Sequence, residues 1–206
     1  MMVRRLREEG LPLPAFVVAQ TGTKVVETSN SGGLKTAPEQ VSAILRKLAG
    51  TVAPHGMGLK AHNCDYLRPA DVARLVDGGV AALNIAPELG VTETRAFLSI
   101  LTELGLTEER DGFLQLAYES LAWQKWLAPG SAASSTERAV MAGHYVYGTA
   151  TFQEIKKTAQ DSAYPQDIDG YLRGRLEQVI ESYAHAISSL VVTVADGGDT
   201  CRQFTN

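Results

Sequence analysis

Over the first half of the chain, three short apolar runs alternate with segments that are apolar on one helical face. Pro14-Ala-Phe-Val-Val-Ala-Gln-Thr-Gly-Thr is partly β-branched and bounded by a proline and a glycine turn, which predicts a buried strand. A polar loop over 29–33 follows, and Pro38 opens a helix with Val41, Ile44, Leu45 and Leu48 on one face and Gly50 near its end. Residues 56–62 read as a second strand, ending on the polar group Asn63-Cys64-Asp65. Pro69 lies in the first turn of a second helix that turns Val72, Leu75 and Val76 inward and stops at Gly78-Gly79. Residues 80–86 predict a third strand, and about 92–104 a third helix.

This is a βαβαβα succession, and strands of near-continuous apolar character belong to a parallel sheet covered by helices. The fold class expected is therefore α/β. Polar residues collect after each strand: Gln20 and Thr21, then His62 and Asn63, then Glu88. In open parallel sheets and in barrels that C-terminal edge is where sites form. The βα units run to about 106, and 107–190 read as helical, with segments near 113–127, 136–147 and 169–190. Residues 131–135 form a small-residue loop, and 191–206 are expected to be a tail. Ile168, Leu172, Leu176, Val179, Ile180, Tyr183 and Ile187 give the last helix one apolar stripe, for the barrel base or for a partner.

Three strands do not close a (β/α) barrel, which takes about 250 residues and eight strands. The chain reads either as a small open α/β layer with a helical extension or as the second half of something larger. A buried-type strand so close to Met1 needs neighbours on both sides, which favours a partial TIM barrel, the C-terminal half, with a helical C-terminal region over 1–190.

Composition narrows the function classes. The 206 residues are 45% hydrophobic and 20% charged, enough to bury a core. Nineteen basic against twenty-three acidic residues give a net charge of −4, and the pI is near 5.6. That balance offers no footprint for nucleic acid or an anionic membrane. No apolar run approaches a membrane span, and the basic start lacks a signal core, so the cytoplasm is expected. Cys64 and Cys201 form no disulfide framework.

Among chemically competent residues, His62 stands out as a candidate ligand of a divalent metal, or else as a polar residue at a barrel mouth. A catalytic zinc needs three protein ligands, and only His55, before the strand, and Cys64, beyond it, lie near in sequence. Lys60 shares a strand face with His62 because side chains alternate, and an ammonium there binds phosphate as a point charge or forms a salt bridge. Asn63 and Asn84 are further substrate or phosphate-binding candidates, and Glu88 either touches substrate or pairs with a base such as Arg95. Asp65 is expected to cap the next helix rather than act in catalysis. Gly32-Gly33 are a turn before they are an anion nest. Trp123, Trp126, Tyr145 and Tyr147 at helical spacing are packing residues before they are stacking platforms.

Several segments together resemble one family: Phe16-Val-Val-Ala-Gln-Thr-Gly-Thr-Lys-Val, Leu59-Lys-Ala-His-Asn-Cys-Asp-Tyr-Leu, and the run from Ala82 to Arg95 containing Asn-Ile-Ala-Pro-Glu. Trp123-Gln-Lys-Trp-Leu, Gly143-His-Tyr-Val-Tyr and Phe152-Gln-Glu-Ile-Lys extend the likeness. The chain is similar to the accessory, non-catalytic subunit of class II D-tagatose-1,6-bisphosphate aldolase, over about Pro12 to Leu190, matching the C-terminal half of that family. The resemblance implies a TIM barrel of about twice this length. It also implies a supporting role for a catalytic aldolase subunit that splits tagatose 1,6-bisphosphate into glyceraldehyde 3-phosphate and dihydroxyacetone phosphate. Galactitol, tagatose and amino-sugar catabolism are the settings it implies, with a sugar phosphate as ligand and a homo-oligomer as an option.

A more distant similarity is to the catalytic class II aldolases, which are zinc enzymes. His62 stands at one of their zinc-ligand positions, followed here by Asn63 in place of glycine. Asn84-Ile-Ala-Pro-Glu-Leu matches their phosphate-binding segment, with Pro87 in place of a hydroxyl residue. Gly22, Thr23 and Lys24 stand where another zinc histidine is expected, Ala61 stands where the accessory family commonly has Glu, and the remaining metal and proton-transfer groups fall in the other half of the barrel. The resemblance thus implies no certain cofactor for this chain, with zinc in the catalytic partner as an option. Two other readings stay beside this one: a metal-dependent sugar-phosphate aldolase or isomerase in its own right, and a tagatose-6-phosphate kinase, for which Asp196-Gly-Gly-Asp is a faint signal without any P-loop.

Overall fold

The structure, a computed structural model, describes residues 2–195. In chain order the elements are α1 (Met2–Glu8), β1 (Phe16–Ala19), β2 (Val25–Val26), β3 (Ser29–Asn30), α2 (Gly33–Thr36), α3 (Pro38–Val52), β4 (Gly58–Ala61), α4 (Pro69–Asp77) and β5 (Val80–Leu83). They continue with α5 (Pro87–Glu103), α6 (Thr107–Glu119), α7 (Ser135–Ala142), α8 (Ala150–Ala163) and α9 (Ile168–Ala195). Pro38, Pro69 and Pro87 each occupy the first position of a helix, where the missing N–H has no partner to lose and the fixed φ suits the helix. The chain divides into two compact units, one of residues up to Thr23, Ser31–Asn84 and from Ile180, the other of Lys24–Asn30 and Ile85–Val179. The division falls at Asn84, so α5 joins the helical unit and the final part of α9 the sheet unit.

The sheet unit holds three parallel strands in the order β1-β4-β5, with Val17 opposite Leu59 and Leu59 opposite Val80. Helix α3 packs on β4 and α4 on β5. Leu59 and Ala61 are buried on the covered face with Leu45, Val72 and Leu75, all at most 1% exposed. The opposite face is open at β1, where Phe16 is 47% and Val18 52% exposed, while Gly58 and Lys60 of β4 are half-buried there. This corrects the expectation of a buried first strand. Among the described residues β1 is an edge strand paired with β4 alone, and alternation turns Phe16 and Val18 to the same open side. The α/β class and the parallel sheet stand as expected.

Beside α4 lies an ion pair that the apolar pattern gave no reason to seek. Arg68 donates from Nε to Asp71 Oδ2 at 2.8 Å and from Nη2 to Oδ1 at 3.0 Å, and Arg74 adds a contact at 3.5 Å. These guanidinium bonds hold the Asp71 carboxyl below the usual carboxylate range. A depressed carboxyl stabilises the fold above its unfolded pKa, and that contribution is lost as pH falls through the folded one. Asp71→Asn is therefore expected to flatten the acid limb of the stability curve, read as midpoint denaturation against pH.

In the helical unit, α5–α8 pack around Phe97, Phe113 and Phe152, with ring centroids 5.3–5.4 Å apart. Tyr147 stacks on Phe152 at 4.4 Å and its hydroxyl lies 3.2 Å from Thr94 Oγ1. Trp123 stacks on Tyr118 and donates its indole N–H to the Tyr118 carbonyl at 2.8 Å, so these aromatics are packing residues. Four boundaries differ from the sequence reading. The third strand ends at Leu83 and α5 starts at Pro87, which puts Glu88 in the first turn of a helix. Helix α6 ends at Glu119, before a left-handed Leu121 (φ 56°), instead of running on to 127. Helix α8, capped by Thr149 Oγ1 accepting from Phe152 N–H, is a separate element. Finally, α9 continues to Ala195, so 191–195 are helix and not tail; 196–206, with Asp196–Asp199 and Cys201, lie outside the described residues.

Glu93 of α5 is half-buried, and burial, with Asp169 nearby, pushes its carboxyl up against the opposing pull of Lys156. A raised carboxyl favours the fold while protonated, and that advantage is lost as pH rises from the unfolded toward the folded pKa. Glu93→Gln is expected to raise the melting temperature at pH 7, with the gain disappearing near pH 4; thermal scans at the two pH values check this.

Candidate functional site

The C-terminal edge of the sheet is built by the chain leaving β1, β4 and β5. After β1, Thr21 and Thr23 flank Gly22, which takes a left-handed φ of 74°. Their hydroxyls are buried, 3.0 Å apart, and Thr23 Oγ1 donates to the His62 carbonyl at 2.5 Å. After β4, the Cys64 N–H donates to the Asn84 carbonyl at 3.0 Å, and the Asn84 N–H to the Ala61 carbonyl at 2.9 Å, so the ladder between β4 and β5 continues past both strands. From α9, the buried Tyr183 hydroxyl donates to the Cys64 carbonyl at 2.8 Å and accepts from the Leu67 N–H at 3.3 Å. Strand ends, loop and helix are tied through backbone groups that would otherwise be buried without partners.

Four of the five residues picked from sequence come together here. Lys60 is half-buried on the uncovered face, in register with Val18, and forms no ion pair among the described residues. His62 is exposed at the strand end, Asn63 beside it is left-handed (φ 55°), and Asn84 is fixed against them through its backbone. Glu88 belongs to the helical unit, in the first turn of α5. Asp65 is buried but does not cap α4, whose N-cap is Arg68 with no side-chain cap bond, which corrects the capping expectation.

The donor set does not fit a zinc ion. Cys64 is fully buried, burial pushes its thiol up to about 11, and it donates to the His62 carbonyl at 3.7 Å. Zinc takes Cys thiolate, His nitrogen or carboxylate oxygen as ligands, and a catalytic site needs three of them. Among the described residues no three His, Cys, Asp or Glu side chains gather as a metal site. What the edge offers chemically is a lysine and a histidine on an open face, suited to holding an anion, above a framework of hydroxyl and carbonyl bonds.

Gly32 and Gly33 serve packing. Gly32 is extended (φ −152°), and a Cβ on it would lie 2.1 Å from the Gly22 carbonyl oxygen, which itself accepts from the Leu34 N–H at 2.9 Å. The two loop segments after β1 close on each other only because both positions lack side chains. Sequence reasoning passed over Thr23 and Tyr183 as anchors. Thr-Gly-Thr directly after a strand carried a signal for the first, since two hydroxyls flanking a left-handed glycine can meet; Tyr183 sat unremarked within an apolar stripe.

No known family model matches the sequence, and no curated protein matches it significantly. Solved structures do resemble it. One is the crystal structure of a probable tagatose 6 phosphate kinase from Sinorhizobium meliloti 1021, with a TM-score of 0.55 at 17% identity over 88% of this chain and 51% of that one. The likeness is one of fold, and the chain spans about half the length of that protein. Among the described residues no helix is long and apolar enough to cross a membrane.

Proposed function

We propose that the chain is an accessory subunit of a class II tagatose-bisphosphate aldolase, contributing the C-terminal part of a TIM barrel and stabilising a separate catalytic subunit. The observation that carries this reading is the uncovered sheet face. All-parallel sheets are ordinarily buried on both sides, yet here Phe16 and Val18 are about half exposed. The three strands follow one another across the sheet in chain order, β1 then β4 then β5, without the reversal of a doubly wound fold. That single-direction winding with both helices on one face supports the reading of a barrel wall, in which the other side of the sheet would face the barrel interior. The motifs His62-Asn63-Cys64-Asp65-Tyr66-Leu67 and Asn84-Ile-Ala-Pro-Glu88 carry the resemblance to this family, and in the strand-end framework the Thr23 and Tyr183 hydroxyls are spent on backbone carbonyls.

The competing reading is a sugar-phosphate enzyme acting alone, with Lys60 and Asn84 orienting substrate beside His62; the open lysine and histidine are what favour it. The structural neighbour's name brings a third, tagatose 6-phosphate kinase. Two assays separate them. Cleavage of tagatose 1,6-bisphosphate is followed with this chain, with a catalytic subunit, and with the mixture during heating. The accessory role predicts no cleavage by the chain, slower inactivation of the mixture, and indifference to His62→Ala. Cleavage by the chain that disappears in His62→Ala establishes the independent enzyme, and ATP-dependent phosphorylation of tagatose 6-phosphate establishes the kinase.

A further inference from the structure

The helical unit contains a cavity of about 420 Å³ that the sheet edge does not involve, within the size range of small-molecule sites. Glu27 and Thr28, at the tip of the β2–β3 ribbon, line it with Arg95 of α5 and Thr136, Glu137 and Met141 of α7. The tip is firmly held: the Glu27 N–H donates to the Trp126 carbonyl at 2.7 Å while the residue takes a left-handed φ of 54°.

We infer that this cavity binds a small hydroxyl-bearing molecule with one anionic group, carboxylate or phosphate, held by the Arg95 guanidinium. Arg95 forms no ion pair among the described residues, although two carboxylates line the same cavity. Both carboxylates are engaged elsewhere. Glu27 Oε1 accepts from the Ala128 N–H at 3.4 Å, and Glu137 Oε2 accepts from the Ser134 N–H at 2.7 Å and hydroxyl at 2.8 Å, closing the capping box of α7. Arg95 therefore keeps its planar fork of donors for an external oxyanion, the geometry that binds carboxylate or phosphate in two places.

The rest of the lining sets the remainder of the ligand. Each glutamate keeps acceptor capacity, and Thr28 and Thr136 offer hydroxyls, so hydroxyl groups are matched by these four residues. Met141 supplies an apolar wall for the carbon skeleton. Two carboxylates around one guanidinium repel a second anionic group, so a sugar acid or sugar monophosphate fits and a bisphosphate does not.

The test is calorimetric titration of the full chain at fixed ionic strength with D-gluconate, D-fructose 6-phosphate, inorganic phosphate and D-fructose 1,6-bisphosphate. Gluconate or fructose 6-phosphate is expected to bind more tightly than phosphate or the bisphosphate, and which of the two binds identifies the anionic group. Arg95→Gln is expected to weaken binding about tenfold or more, and Ala132→Trp, which fills the cavity from its loop while keeping Arg95 in the chain, to abolish it. Arg175→Gln, removing an equal charge from the exposed face of α9, leaves binding unchanged, and thermal scans confirm that each variant folds. Absence of binding by all four probes at millimolar concentration, equal binding by Arg95→Gln, or preference for the bisphosphate overturns the inference.

Discussion

Phe97→Ala is expected to destabilise the helical unit by about 3–5 kcal/mol, the range for truncating a buried phenylalanine. Phe97 is fully buried, and its ring meets Phe113 edge-on at 5.4 Å and Phe152 at 5.3 Å. Truncation removes transfer energy, two aromatic contacts and the filling of a space that α5–α8 enclose from several sides, so collapse of one helix cannot fill it. Native domains are stable by only about 5–15 kcal/mol, so the loss is large. Denaturant unfolding followed by near-ultraviolet circular dichroism measures it. A loss below about 1 kcal/mol contradicts a core centred on this ring triad.

Tyr183→Phe is expected to lower stability by about 1–3 kcal/mol, the cost of stranding buried polar groups. The change leaves the ring in place and removes one oxygen, which serves both the Cys64 carbonyl and the Leu67 N–H. Its particular signature is local. Amide exchange at Leu67 accelerates more than the global loss of stability accounts for, because that N–H loses its acceptor. Unchanged exchange at Leu67 shows that α9 does not anchor the loop behind β4.

Much of this architecture is legible in the sequence where one physical cause acts alone. Pro38 and Pro69 announce their helices, and the apolar runs 16–19, 58–61 and 80–83 announce strands because nothing else competes for them. Pro87 carried the same signal as its two counterparts, but the apolar run 80–86 outweighed it, and so Glu88 was placed at a strand end and not in a helix. The exposure of Phe16 and Val18 was illegible for a deeper reason: an apolar strand has the same sequence whether its second face is covered or open. Lys60, His62, Asn63 and Asn84 could be placed at the strand ends because strand-end polarity is local. The Thr23 bond to the His62 carbonyl and the Tyr183 anchor join positions 39 and 119 residues apart, and no local pattern encodes such a meeting.

The accessory role requires that a partner complete the sheet. Backbone hydrogen exchange of β1 and β5, measured in the chain alone and mixed with a class II tagatose-bisphosphate aldolase catalytic subunit, tests this directly. The predicted result is that the amides of both edge strands pointing away from β4 exchange quickly in the chain alone and become protected in the mixture, while those of β4, already bonded on both sides, change least. Edge strands that exchange identically in the two samples would contradict a barrel wall awaiting its partner, and with it the accessory role.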